Sequence, residues 1–449
     1  MSRFMDVCRR EIPESGIEVV PVGDREIPFE AYNYCENLKE IILPETLETI
    51  EDEAFRFCSS LREIVIPEGV TKIGQYAFWN CVQLKRVVLP STLQEIGANA
   101  FDNCTSLEEI VIPPLVKRIN RETFANCTAL KKVILPDVLS TIAGYAFVNC
   151  TQMQSITLPR NKPILVGKSV FAGCISLAGH DGFIIVYDVL YEYTGNEHNI
   201  RIPEGIRTIG EGAFCGNKAI RNVFIPEGVE IILDRSFAYC TSLESVSFPT
   251  SLKIVGAEAF QDSCRLKRMN NFRNDFRVRE AAFRNCIGLA DKDGFVIVAN
   301  VLYSYHGEER EVSIPAGIKT ISSYAFYKNE YVEKISIPEG VETICRDSFR
   351  QMKSLKSISF PRTLRTIAQN VLKECNEITT IIIPEGIETI ERGSFSFCKN
   401  LQTVELPSSL KKIEYDVFVN WRIILFRVIR DSYADKTFRQ RKRYRVEYL

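Results

Sequence analysis

Prolines recur every 23 residues along most of this chain, and a fixed period of that length restricts the fold more than any other feature of the sequence. They stand at 44, 67, 90, 113, 136 and 159, then at 203, 226 and 249, then at 315, 338, 361, 384 and 407, with Pro21 in phase at the front. Phenylalanines keep step at 55, 78, 101, 124 and 147, at 214, 237, 260 and 283, at 326 and 349, and at 395 and 418, Leu372 filling one place. The shared unit reads C-x-x-L-x-x-[IV]-x-[IL]-P-x-x-[LV]-x-x-I-x-x-x-A-F-x-x, as in CSSLREIVIPEGVTKIGQYAFWN, and sixteen such turns can be counted.

Each part of the unit has a physical role. The stretch L-x-x-I-x-I alternates and is rich in β-branched residues, which reads as a short strand. Proline then removes a backbone donor and ends it. The E-G or S-T/S-S pair that often follows is turn chemistry. A second extended piece, V-x-x-I, leads into A-F, whose ring is expected inside. A unit of 23 residues leaves no room for a long helix beside two strands. One turn cannot bury its own apolar face, so neighbours must stack as parallel strands about 4.8 Å apart.

Two interruptions are related to each other. HDGFIIVYDVLYEYTGNEHNIRIPEGI (180–206) matches KDGFVIVANVLYSYHGEEREVSIPAGI (292–318), and Asp181 and Asp293 lie 112 residues apart. That spacing is four units of 23 plus one of 20, so each box is an extra coil inserted in phase. The pattern F-x-x-V, turn, L-Y-x-Y predicts a hairpin. The boxes read either as binding knobs or as spacers that bend the solenoid, the spacer being the simpler. The units ahead of them (RNKPILVGKSVF and NNFRNDFRVREAAF) are irregular.

The unit IPEGVTKIGQYAFWNC and the DGF…LY-x-Y boxes resemble the BspA-like leucine-rich repeats, from about residue 16 to the end. SYADKTFRQRKRYRVEYL resembles the closing helix and strand of that family. The resemblance implies a β-rich (α/β-type) solenoid, a right-handed curved array of about 18 coils of 23 residues with parallel strands and little helix. The expected organisation is an N-terminal cap over 1–15 and a solenoid over 16–420 with hairpin-like inserts near 180–200 and 292–312. A capping helix and strand over 421–449 complete it. The resemblance also implies a surface or secreted protein, adhesion to host matrix proteins or other cells, and no catalytic residues.

Composition narrows the function. A net charge of −1 with 45% hydrophobic and 25% charged residues excludes a disordered chain and a generally basic nucleic-acid binder. No apolar run approaches the roughly 20 residues that cross a bilayer, so no membrane insertion is expected. The first residues, MSRFMDVCRREIPESG, lack the apolar core of a secretory signal, which makes a cytoplasmic address the default and a cell-surface or secreted one the alternative.

Eleven of the 15 cysteines share one rung, three residues after the aromatic: Cys35, Cys58, Cys81, Cys104, Cys127, Cys150, Cys174, Cys240, Cys286, Cys375 and Cys398. A disulfide framework is one reading. A column of reduced, buried thiols at a tight corner is the better one. His180, His198 and His306, the only histidines, all fall in the boxes without ligand spacing. An enzyme with its site around His180, Asp181 and Asp293 is therefore a distant alternative. No phosphate-binding loop, dinucleotide fingerprint, nucleophile elbow or zinc motif occurs, so no cofactor and no metal are expected. From Arg422 to Leu449 the net charge is +6, with QRKRYR at 440–445. A basic end to a helix started by Ser432 accounts for this more simply than a nucleic-acid patch, and no nucleic-acid partner is expected. The run Arg265, Lys267, Arg268, Arg273, Arg277 and Arg279, with Phe272 and Phe276, coincides with the weakest repeat and reads as imperfect coil.

If the residues three and one before each proline face the core, those four and two before it face outward. The pairs are Glu40/Ile42, Glu63/Val65, Arg86/Val88, Glu109/Val111 and Lys132/Ile134, an apolar stripe beside a row of mixed charge. Later the same positions turn polar, as in Ser245/Ser247, Lys334/Ser336, Ser357/Ser359, Thr380/Ile382 and Thr403/Glu405. These ten residues of the first half are the candidate binding site for a protein partner, adhesive or scaffolding. The plain alternative is that β-branched residues simply make good strands.

Overall fold

The computed structural model describes residues 11–159, 164–273, 275–419, 423–439 and 445–449. Most of the expected cap at 1–15 and most of the basic run at 440–445 lie outside them. Most of the repeat prolines are preceded by a strand of three residues with its middle side chain buried, such as Glu40–Ile42, Glu63–Val65 and Glu109–Val111. A second strand of two residues follows, such as Thr49–Ile50 or Lys72–Ile73, and buries its isoleucine. Both kinds stack in parallel with their own kind at the repeat offset. Ile17 pairs with Glu40, Glu63 with Arg86 and Glu109 with Lys132, while Glu26 pairs with Thr49 and Thr49 with Lys72. The result is a parallel-strand β-solenoid of about 18 turns with very little helix.

The chain forms two compact units, Met1–Gly195 with Ile206–Ala213, and Asn196–Gly205 with Phe214–Leu449. In the first, the rings of Phe55, Phe78, Phe101, Phe124 and Phe147 stack face to face, with centroids 5.1–5.5 Å apart. In the second, Phe214, Phe237, Phe260 and Phe283 do the same at 4.7–5.2 Å. All nine rings are fully buried. The ring spacing follows the strand spacing, because each ring hangs from one turn of the same ladder.

The cysteine rung has a chemical role beyond filling a corner. The free rung thiols donate to the carbonyl at the aromatic position one turn earlier: Cys81 to Phe55 at 3.1 Å, Cys104 to Phe78 at 3.3 Å, Cys127 to Phe101 at 3.1 Å, and Cys398 to Leu372, which fills that position, at 3.1 Å. In the second unit Cys240 reaches Phe214 at 3.1 Å and Cys286 reaches Phe260 at 3.0 Å. Where the rung carries serine, Ser263 makes the same bond to Phe237 at 2.8 Å. The thirteen cysteines from Cys58 to Cys398 are free, and burial pushes the Cys58, Cys104, Cys240 and Cys398 thiols up, the last two to about 12. Cys35 departs from the expected column of reduced thiols, since it is disulfide-bonded.

Between the second strand and the cysteine, the backbone turns twice through left-handed conformations that the sequence pattern does not announce. Glu53 and Phe57, Tyr76 and Asn80, and Asn99 and Asn103 all have φ between 55° and 61°. Non-glycine residues adopt this region at a cost, which turn-to-turn bonding offsets here. Phe57 N–H donates to the Trp79 carbonyl at 2.8 Å, and Asn80 N–H to that of Asp102 at 2.9 Å.

The boxes are hairpins, as the pattern predicts. Phe183–Val186 runs antiparallel to Val189–Tyr193, and Phe295–Val298 to Val301–Tyr305. The second strand of each continues the two-residue ladder, Val189 pairing with Thr208 and Val301 with Thr320. The region of the weak repeat forms strands at Arg268–Asn270 and Arg277–Val278, and Phe272 packs edge-on against Phe248 and Phe283. At the end, Ser432 Oγ accepts the Asp435 N–H and Asp435 accepts that of Asp431, which caps the helix Tyr433–Arg439 reciprocally. The strand Arg445–Tyr448 then pairs in parallel with Leu425–Val428.

Candidate functional site

In the first unit the pleat decides which side chains face out. A strand pinned by a buried Ile41, Ile64, Val87, Ile110 or Val133 presents its two flanking residues to solvent. Ile42, Val65 and Val111 are 50%, 57% and 52% exposed, while Val88 and Ile134 are half-buried. Glu40, Glu63, Arg86, Glu109 and Lys132 are exposed beside them. Register stacks Val65 on Val88 and Val111 on Ile134, so these residues form rows rather than scattered points.

A depression of about 1100 Å³ opens on this face. Of the ten predicted residues it takes in Glu40, Glu63, Arg86, Val88, Glu109 and Val111; Ile42, Val65, Lys132 and Ile134 lie outside its lining. It also takes in residues the sequence reading left out. Lys39, Arg62 and Lys85 form a further row five residues before each proline, and Glu68, Ser91 and Pro114 close the opposite rim. The row was open to the same phase argument, as was Val19, 60% exposed and two residues before Pro21.

Opposite charges on adjacent turns meet across the rows. Arg86 lies 3.9 Å from Glu63, Lys132 is 3.2 Å from Glu109, and Lys85 is 3.1 Å from Glu108. The Lys85 ammonium, with Lys131 beyond it, holds the Glu108 carboxyl below the usual carboxylate range. Glu68 is held low in the same sense, because it accepts the Ser91 N–H and hydroxyl. Glu63, Glu108 and Glu109 are therefore paired across turns, and the apolar row beside them is the part that water solvates poorly.

The sequence matches the family described as BspA type leucine rich repeat region (6 copies), over residues 25–150, 96–182, 180–290 and 299–437. The chain belongs to the BspA-type leucine-rich repeat family. Such repeats are protein-interaction modules that present extended surfaces. A comparison with curated proteins found no match. Among solved structures, a leucine-rich cell surface protein of Faecalibacterium prausnitzii is 22% identical, with 94% of this chain and 89% of that one covered and a TM-score of 0.35. A leucine-rich repeat protein of Bacteroides ovatus is 20% identical, covering 98% and 94%, with a TM-score of 0.38. One from Eubacterium ventriosum is 17% identical, covering 90% and 93%, with a TM-score of 0.40.

In this BspA-type chain the boxes serve the fold. Phe183, Ile184, Val186, Leu190 and Tyr193 are buried, as are Phe295, Val296, Val298, Leu302 and Tyr305. Glu192 accepts the Gly173 N–H at 2.7 Å, a donor that a carbonyl of the next turn takes elsewhere, and burial raises its carboxyl above the usual range. Ser304 occupies the matching place, accepting the Asn285 N–H at 3.3 Å. Its hydroxyl lies 2.9 Å from His306 Nε2, and burial lowers the His306 pKa. Ser304 is itself buried and His306 is half-buried beside it. Asp181 accepts the Phe183 N–H at 3.3 Å and His198 Nδ1 lies 2.9 Å from the Ala219 carbonyl, both turn-closing contacts. Among the described residues no group of three His, Cys, Asp or Glu could hold a metal ion, and no helix is long and apolar enough to cross a membrane.

Proposed function

We propose that this chain is a non-catalytic binding protein whose partner is a protein that docks on the outward face of the strands between Glu40 and Ile134, in the service of adhesion to host matrix or to other cells. The observation that carries the reading is the coincidence of the depression with the exposed rows: Val88 and Val111 line it together with Glu40, Glu63, Arg86 and Glu109. Five stacked β-branched residues beside ionised rows supply an apolar strip for affinity and a charge pattern for register. The adhesive setting rests on the family resemblance. The box residues support a non-catalytic role, because their polar groups close turns and the Ser304 hydroxyl is buried.

The test uses the full chain against a panel of purified host matrix proteins in surface plasmon resonance. Val65→Arg with Val111→Arg should weaken saturable binding by about tenfold or more while leaving the circular dichroism spectrum unchanged. Binding untouched by the double substitution would move the site elsewhere. Labelling of intact source cells with a membrane-impermeant reagent addresses the setting. Protection until lysis would end the adhesive reading and direct the search to cytoplasmic proteins on the same face.

A further inference from the structure

The second unit carries a different surface, on the turns that follow the phenylalanine ladder. In the middle turns of the first unit the residue before the rung cysteine is Asn80, Asn103, Asn126 or Asn149, and these amides bond in pairs, with Tyr34, Phe57 and Gly173 at the same position in the flanking turns. Asn103 donates to Asn80, and Asn149 to Asn126 at 3.0 Å. In the later turns of the second unit the same position runs Lys328, Gln351, Glu374, Phe397, all with φ between 60° and 66°. That sequence cannot form an amide ladder, and a depression of about 810 Å³ lies over it.

The charges in this depression are unequally matched. Lys353 pairs with Glu330 at 2.7 Å, and Glu374 accepts from Gln351 at 2.7 Å and from Arg350 at 3.3 Å. Those contacts hold both carboxyls below the usual range, so both are ionised and committed. Lys328, Lys373 and Lys399 have no carboxylate at ion-pairing distance among the described residues. The Phe397 ring is 50% exposed, with the Lys373 ammonium 5.6 Å from its centre. The Lys328 ammonium lies over the Tyr327 ring at 5.1 Å, so the depression offers three lysines outside close ion pairs together with an exposed aromatic ring.

We propose that this depression is a second binding surface, for an acidic segment of a partner protein that sets an apolar side chain on Phe397 and carboxylates on Lys328, Lys373 and Lys399. The two fixed carboxylates select this partner over a nucleic acid. A uniformly charged strand crossing the depression brings phosphates against Glu330 and Glu374, whereas a peptide places acid and apolar groups separately. The proposal does not depend on the strand face of the first unit.

Fluorescence anisotropy on the full chain tests it, with a labelled peptide of Glu-Glu-Leu repeats as probe and oligothymidylate of equal charge as competitor. The peptide should bind saturably, about tenfold or more weaker to the Lys373→Glu/Lys399→Glu variant and several-fold weaker to Phe397→Ser. Lys253→Glu, elsewhere on the same unit, should bind as the wild type does. Three results overturn the proposal: equal weakening in Lys253→Glu, tighter binding of oligothymidylate than of the peptide, or no saturable peptide binding up to about 1 mM.

Discussion

Cys104 offers a direct test of why the rung carries cysteine. Its side chain is fully buried, and the Phe78 carbonyl it meets at 3.3 Å also accepts the Cys81 N–H at 3.2 Å. In Cys104→Ala that carbonyl keeps its backbone partner and loses the thiol. A weak S–H bond sits at the low end of the net worth of a hydrogen bond, about 0.5 kcal/mol. Removing a buried atom of methylene size adds about 1 kcal/mol of transfer and cavity cost. The sum is about 1.5 kcal/mol. Cys104→Ser keeps the donor, and Ser263 makes the same bond to Phe237 at 2.8 Å, so its cost should be about 0.5 kcal/mol. Cys104→Val has no donor and one more heavy atom than the corner holds, which places it at about 1–3 kcal/mol. Because a stacked array does not unfold as one two-state body, the readout is native-state hydrogen exchange of the Phe101 and Asn103 amides. These two donate to Thr123 and Ala125, each at 2.9 Å. A gap of about 1 kcal/mol between serine and alanine is about fivefold in exchange rate. Serine no better than alanine, or valine equal to cysteine, would show that the thiol is filler and not a donor.

Two further outcomes follow from the same stacking. Phe101→Ala removes a fully buried ring with stacked partners on both sides, and should cost about 3–5 kcal/mol in the exchange protection of the neighbouring Phe78 and Phe124 amides; a loss below about 1 kcal/mol would place the ring outside the core. Bonds from the Ser91 N–H and hydroxyl hold the Glu68 carboxyl low, so its folded value lies beneath the ordinary 4.5. The bond therefore contributes fully above that value and fades as pH falls through the folded one. Protection of the Ser91 amide should drop on acidification below about 4.5, and Glu68→Gln should flatten that dependence; identical profiles for both chains would remove Glu68 as the cause.

The period alone made most of the fold legible. Prolines every 23 residues mark where strands end, and the isoleucines before them mark which side is buried, as Ile41 and Ile64 illustrate. The hairpins at Phe183–Tyr193 and Phe295–Tyr305 were equally readable, because the F-x-x-V and L-Y-x-Y halves flank a two-residue turn. What the pattern hid was bonding between turns that are 22 to 26 residues apart. Glu68 and Ser91 each read as local turn residues, yet they are partners across one repeat. Cys104 reads as a small hydrophobe because nothing nearby in sequence accepts its thiol; the acceptor is Phe78, on the previous turn. The left-handed positions were hidden for a related reason. Glu53, Phe57 and Tyr76 are not residues that choose φ > 0 by themselves, and they hold it only because the next turn bonds to their amides.

A repeat chain also serves as its own alignment, and this separates fold from function. Positions that every turn must use alike, such as Phe78, Phe101 and Phe124 or Cys81, Cys104 and Cys127, are occupied alike and lie at 0% exposure. Positions the stack leaves free drift from turn to turn. The outward residue two before the proline is Ile42, Val65, Val88, Val111 and Ile134 across five consecutive turns, then Ser313, Ser336 and Ser359 farther on. Strand formation alone does not account for that change, because the serine turns form strands of the same length in the same register, as Lys334–Ser336 and Ser357–Ser359 do. The position two after the phenylalanine drifts likewise, from Asn80, Asn103, Asn126 and Asn149 through mixed residues such as Tyr239 and Asp262 to Lys328, Gln351, Glu374 and Phe397. Both departures from uniformity coincide with a depression, and neither is needed to stack one turn on the next. A solenoid that only had to fold would have no physical reason to vary its free positions in blocks of several turns. Block-wise variation on a uniform frame is the pattern that the two binding surfaces proposed above would leave.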